Sequence, residues 1–187
     1  MAKKSNRPWI AMYSQTGSEL YEICKALKRY PDQIISDSFC RGKTVNDLNE
    51  TICKKTTFLL QRVTKGDYPH IMEDFDKNPI ITLHGWLNIV PQLICEEYEI
   101  YNGHPGLITK YPILMGKDPQ KKAVELGLEE SGCVIHRVSP GVDEGEILVS
   151  KPVNIKGFSL DKTIEILHNA SIKLWVEFLK EKLNAGS

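Results

Sequence analysis

The feature that most narrows what this chain can fold into is an alternation. Short apolar runs are followed, repeatedly, by segments whose apolar residues recur at helical spacing. "PWIAMYS" (8–14) is one such run, and it leaves through "QTG". The next stretch, "SELYEICKALKRY" (18–30), sets Leu20, Ile23, Cys24 and Leu27 three or one apart on one helical face. Thr16 and Glu19 stand at capping-box spacing, which starts this helix near Gly17. "DQIISDS" (32–38) and "TTFLLQRV" (56–63) read as strands two and three, and "HIMEDFDK" (70–77) as a short amphipathic helix. "NPIITLHG" (78–85) is a fourth strand, "VPQLICEEY" (90–98) a helix and "EIYN" (99–102) a fifth strand. Asp118 and Pro119 open another helix and Gly127 ends it. "CVIHRV" (133–138) and "EILVSKPVNI" (146–155) are strands around the turn-rich "SPGVDEGE". The last segment, 159–183, carries Leu160, Ile164, Leu167, Leu174, Trp175, Phe178 and Leu179 on one broad face of a long helix. Strands alternating with helices predict an α/β fold, Rossmann-like, with a mostly parallel central sheet flanked by helices.

Composition sets the outer limits. The 187 residues suit a single domain, 1–187, large enough for a core. Lys plus Arg and Asp plus Glu number 24 each, so no global field draws the chain to nucleic acid or anionic membrane. No apolar run has bilayer-spanning length, and the basic start lacks the apolar stretch of a signal peptide. The five cysteines are odd in number and contain no C-x-x-C pair, which speaks against disulfides or a zinc site and for a reduced, cytoplasmic setting. No metal is expected.

In such sheets ligands bind beyond the carboxyl ends of the strands. The loops "SQTGSE", "HGWLNIV", "YNGHPG" and "SPGVDEG" would converge there. Asn102 and His104, in "YNGHPG", are hydrogen-bonding groups suited to holding a carbonyl oxygen as it becomes an oxyanion. Asp143 could support the imidazole or order a water for proton transfer. No Ser or Cys sits beside them, so positioning and charge stabilisation would suffice without a covalent intermediate. From the residues alone, a capping Asn with a surface His, and an Asp in an ordinary glycine turn, stand as the alternative.

The ordered set "YNGHPGLITKYP", "GKDPQKKAVELG", "ESGCVIHRV" and "GVDEGEIL" resembles the glycinamide ribonucleotide formyltransferase family, and the likeness runs from "IAMYSQTGSEL" into the last helix. The resemblance implies the formyltransferase fold and a catalytic triad of Asn102, His104 and Asp143. It implies 10-formyltetrahydrofolate as formyl donor and a primary amine as acceptor, glycinamide ribonucleotide by default. Folate would lie against Trp86, Leu87, Asn88, Ile89 and Val90, and against the turn carrying Val138, Gly141 and Val142. Thr16, Gly17, Ser18, Glu19, Gly103 and Pro105 would line the acceptor side. His136 is the family's strand histidine, and it reads equally as a core residue or a contact.

Two departures fall on the acceptor side. Family members carry Asn where this chain has Glu19, in a loop that holds the acceptor's phosphate, and a carboxylate there repels phosphate. The local reading is that Glu19 closes a capping box with Thr16. In the last helix, "HNASIKLW" (168–175) lacks the acidic residue that contacts the acceptor in the family. Gly103 and Gly106 replace bulkier residues, which would widen the pocket. A different amine acceptor, a modified nucleotide or an amino sugar, is the alternative, and a non-catalytic folate-binding module is another.

Overall fold

A computed structural model describes residues 7–59, 67–72 and 79–184. Its elements follow one another as β1 (Trp9–Tyr13), α1 (Ser18–Leu27), β2 (Gln33–Ser36), α2 (Glu50–Lys55), β3 (Phe58–Leu59), α3 (Asp67–Met72) and β4 (Ile80–His84). Then come α4 (Gln92–Glu97), β5 (Glu99–His104), α5 (Pro119–Glu125), β6 (Glu130–Arg137), β7 (Ile147–Asn154) and α6 (Leu160–Asn184). The sheet has strand order β3-β2-β1-β4-β5-β6-β7. Its first five strands are parallel, and β6 and β7 add on antiparallel. The α/β fold, mostly parallel sheet and long last helix are those the sequence predicts.

β1 and β4 are buried at every residue, as continuous apolar runs must be when helices cover both faces. Side chains alternate across the sheet, so β1 sends Trp9, Ala11 and Tyr13 to one core and Ile10 and Met12 to the other. The first core lies under α1 and α6, where Leu174, Trp175, Phe178 and Leu179 pack. The second holds Tyr68 of α3 with Trp86, Val90, Ile94 and Cys95 around α4. Burying a large apolar side chain contributes about 1.5–3 kcal/mol, so these two layers hold the strand ends where the site forms.

Several boundaries differ from the sequence reading. The helix expected over 70–77 begins earlier, at Asp67, because Pro69 is tolerated in a first turn; residues 73–78 lie outside the described residues, as do 60–63 of the third strand expected over 56–63. Strand β5 continues through His104 because β6 pairs with it, Asn102 opposite His136 and His104 opposite Val134. Asn102 and His104 therefore sit on a strand, not in a loop, and two residues apart they share one face. Ile164 is exposed rather than part of the α6 core face. The α5 boundaries stand, with Pro119 in the first turn and Gly127 left-handed just past the end. All five cysteines are free thiols.

Candidate functional site

On the shared face of β5, His104 is buried, and its Nδ1 lies 3.1 Å from Asp143 Oδ2. Its Nε2 donates to the Leu114 carbonyl at 2.8 Å. Both partners are acceptors, so the surroundings have a place for a proton on each ring nitrogen. His136 joins from β6: Nε2 is 3.4 Å from Asp143 Oδ1 and 3.3 Å from Asn102 Nδ2, and Nδ1 donates to the Arg137 carbonyl. Asn102, His104, Asp143 and His136 thus form one connected cluster.

Asp143 reaches this cluster from an unexpected direction. Because β6 runs antiparallel, its carboxyl end lies beside Tyr101, away from the end of β5. The turn after it folds back, with Asp143 in the left-handed region at φ 56°. Gly116 N–H donates to Oδ2 at 3.0 Å and fixes the carboxylate. Burial opposes its charge, but hydrogen bonds from His104 and His136, the charge on His104 and the Gly116 amide outweigh that and hold its pKa far below the usual carboxylate range.

A cavity of about 290 Å³ opens beside this strand end, and Gly103 and Pro105, the two neighbours of His104, line it. So do Thr16, Gly17, Ser18 and Glu19, which brings together all six residues read as the acceptor side. His84, Gln120, Ile164, His168 and Ser171 also line it. The sequence reading assigned no site role to His84 or Gln120; the signal for His84 was its place as the single polar end of an apolar strand.

Glu19 does not close a capping box. The N-cap is Gly17, left-handed at φ 74° and without a side chain to cap with. That puts Thr16 one position outside the helix, where its hydroxyl bonds Ser18 instead. The Glu19 carboxylate crosses to α6, where Ser171 Oγ donates to Oε1 at 2.6 Å. The two positions that depart from the family pattern are therefore partners across 152 residues of chain.

On its other side, Glu19 Oε2 is 3.6 Å from His84 Nδ1. Trp9 Nε1 donates to Thr82 Oγ1 at 2.8 Å, and that hydroxyl lies 2.9 Å from His84 Nε2 but 3.4 Å from the Ile10 carbonyl. Nδ1 faces the Glu19 carboxylate, which only accepts, so the imidazole proton is assigned to Nδ1. This buried Nδ1 has no hydrogen-bond partner among the described residues. Burial would raise the Glu19 carboxyl pKa, but the facing His84, Ser171 and His168 pull it below its ordinary value, so the group is ionised.

The glycines do not widen the cavity. A Cβ on Gly103 would come within 2.6 Å of Trp175 Nε1, and one on Gly106 within 2.9 Å of His104 Nε2. The space left by each missing side chain is filled by a ring. Trp175 also sits 4.8 Å from the His84 ring.

The residues read as the folate side divide by burial. Trp86 and Val90 belong to the second core, with Trp86 Nε1 donating to Tyr68 OH. Leu87 and Ile89 are 55% and 60% exposed, and Val142 is exposed as well. Val138 packs half-buried on the second core, and Gly141 is half-buried. Asn88 is held in a polar network, donating to Asp37 Oδ2 and accepting from Arg41. The Leu87 and Val138 amides are already used, by Ser14 Oγ and the Ile100 carbonyl.

Comparison with known proteins agrees with this architecture. A Drosophila melanogaster trifunctional purine biosynthetic protein adenosine-3 is 40% identical over 78 residues, 41% of this chain and 6% of that protein. A Dictyostelium discoideum phosphoribosylglycinamide formyltransferase is 28% identical over 119 residues, 59% of this chain and 58% of that protein. The matches thus span less than two thirds of either relative. The crystal structure of a formyltetrahydrofolate deformylase from Pseudomonas syringae superposes with a TM-score of 0.79 at 15% identity, covering 97% of this chain and 62% of that one, which shows a shared fold. The family model for formyl transferase matches residues 44–179, well over half of the sequence, and the chain belongs to that family.

Proposed function

We propose that the chain is an N-formyltransferase, moving a formyl group from 10-formyltetrahydrofolate to a primary amine. By similarity to the phosphoribosylglycinamide formyltransferases, the default acceptor is phosphoribosylglycinamide. The observation that carries the reading is the buried cluster of Asn102, His104 and Asp143 beside a cavity able to take a small amine.

Formyl transfer to an amine puts negative charge on the formyl oxygen as nitrogen attacks. Groups that donate hydrogen bonds to that oxygen, already in place, lower the barrier. The Asn102 amide, 3.3 Å from His136 Nε2, keeps an N–H for that oxygen. His104 offers Nε2–H, which the Leu114 carbonyl now occupies, so a substrate oxygen held by the ring takes that carbonyl's place. Asp143 keeps the imidazole oriented. The amine loses one proton and the folate nitrogen gains one, so the reaction balances without another reactant.

The exposed Leu87, Ile89 and Val142 offer apolar faces suited to a flat pterin ring, whereas Trp86 and Val90 serve the core. The donor supplies an activated formyl group; the chain supplies orientation, hydrogen bonds and exclusion of water.

The test is direct. Purified protein with 10-formyltetrahydrofolate and phosphoribosylglycinamide, or a panel of other primary amines, should give deformylated folate and formylated amine in equal amounts. The folate product is followed by absorbance. Folate binding without turnover of any amine would instead favour a binding module, and formate release without an amine would favour hydrolysis.

A further inference from the structure

The geometry points to an acceptor whose amine is carried on a hydroxylated, phosphate-free body, with Glu19 as the residue that selects it. This rests on the formyl-transfer reading for the ligand's being an amine. Three observations at the cavity agree. An ionised carboxylate stands in the first turn of α1, where the helix amides would otherwise suit an anion. Ser171 anchors one of its oxygens, so the group is positioned rather than free to swing away. The third is His84: its Nδ1–H, in a side chain only 1% exposed, is aimed at the other oxygen from 3.6 Å and has no hydrogen-bond partner among the described residues.

A carboxylate oxygen only accepts, and this N–H only donates. A ligand group that satisfies both must donate and accept at once. A hydroxyl does so, accepting from His84 and donating to Glu19. A phosphate dianion cannot donate, and it meets the carboxylate's repulsion. None of the described residues lining the cavity is Lys or Arg, and Glu19 is the carboxylate among them.

The experiment compares two ligands that differ by one phosphate: phosphoribosylglycinamide and its dephosphorylated ribosyl counterpart. Dissociation constants are measured by calorimetry for wild type, Glu19→Gln and Ser171→Ala. Wild type should bind the dephosphorylated amine at least tenfold more tightly. Glu19→Gln should shrink that preference at least tenfold, chiefly by gaining affinity for the phosphorylated form. Ser171→Ala keeps the charge and should keep the preference, with weaker binding overall. Equal or tighter binding of the phosphorylated amine by wild type overturns the inference, as does a preference unchanged in Glu19→Gln or the absence of binding by either ligand. Because binding is read without turnover, the two readings separate. Tight binding of the dephosphorylated amine without formyl transfer would sink the enzymatic reading alone, and full transfer to a preferred phosphorylated amine would sink this one alone.

Discussion

Two carboxylates of this molecule are each set among histidines, yet they are built differently. Asp143 meets His104 and His136, and its side chain is 9% exposed. A backbone amide fixes it, and one ring nitrogen of each histidine faces its oxygens. Glu19 meets His84 and Ser171, its side chain is 24% exposed, and it borders open space beside an N–H with no hydrogen-bond partner among the described residues. The same residue types thus make a completed cluster in one place and an unfinished one in the other. A completed cluster holds a charge still and orients an imidazole. An unfinished one awaits a ligand.

The largest expected effect divides the two by kinetics. His104→Ala should lower the transfer rate roughly 100-fold or more, the scale for losing one oxyanion donor. His84→Ala should act mainly on the acceptor's KM and leave kcat within a few-fold. Steady-state kinetics with varied amine checks this, and equal losses of kcat in the two variants would break the contrast.

The next effect is on acid stability. Asp143 has its pKa lowered by folding, so its contribution is fully present above the unfolded value of about 4 and fades as pH falls toward its native value. Urea midpoints at pH 6 and pH 3 should therefore fall further for wild type than for Asp143→Asn, which lacks this slope. Glu19 shifts in the same direction but is more open to water, so Glu19→Gln should differ less from wild type over the same interval. Parallel behaviour of wild type and Asp143→Asn would show that the enclosed carboxylate is not held in its charged form.

How these regions relate to sequence explains what could be read in advance. The strand–helix alternation was legible because central parallel strands are apolar throughout, as in "WIAMY" and "IITLH". The three residues Asn102, His104 and Asp143 could be named together through the family motif, but their route together could not. It depends on β6 running antiparallel and on Asp143 turning back in a left-handed conformation, neither of which is a local pattern. The pairing of Glu19 with Ser171 was illegible for the same reason. Local spacing favoured a capping box with Thr16, and a left-handed Gly17 at the N-cap removed that option. His136 could not be assigned from its strand pattern, because inward-facing strand positions carry core and site residues alike.

A third prediction concerns the wall between the two regions. The indole of Trp175 fills the space beside Gly103, where a Cβ would stand 2.6 Å from Nε1. Gly103→Ala forces the indole or β5 to move, at a cost of about 1–3 kcal/mol as in other overpacked cores. For a chain of this length that is a drop of roughly 2–4 °C in melting temperature per kcal/mol. An unchanged melting temperature would mean that the indole has room to yield, and that the separation of the two sites is soft.

The smallest effect is expected at Trp175 itself, for a reason particular to its setting. Trp175 is fully buried, and its ring packs on His84 and Phe178. Replacing it with Phe removes part of that ring, a loss of about 1–2 kcal/mol in buried apolar area. In most cores the indole N–H would also leave a partner unsatisfied, and the two losses would add. Here Nε1 has no hydrogen-bond partner among the described residues. An unpaired buried donor costs about 1–3 kcal/mol, so removing it returns a comparable amount. Trp175→Phe should therefore unfold within about 1 kcal/mol of wild type in urea, near cancellation of the two terms. A loss well beyond that would mean the indole nitrogen is paired in solution, for instance through a water. The wall between the two carboxylate sites would then be polar, joining regions that the structure keeps separate.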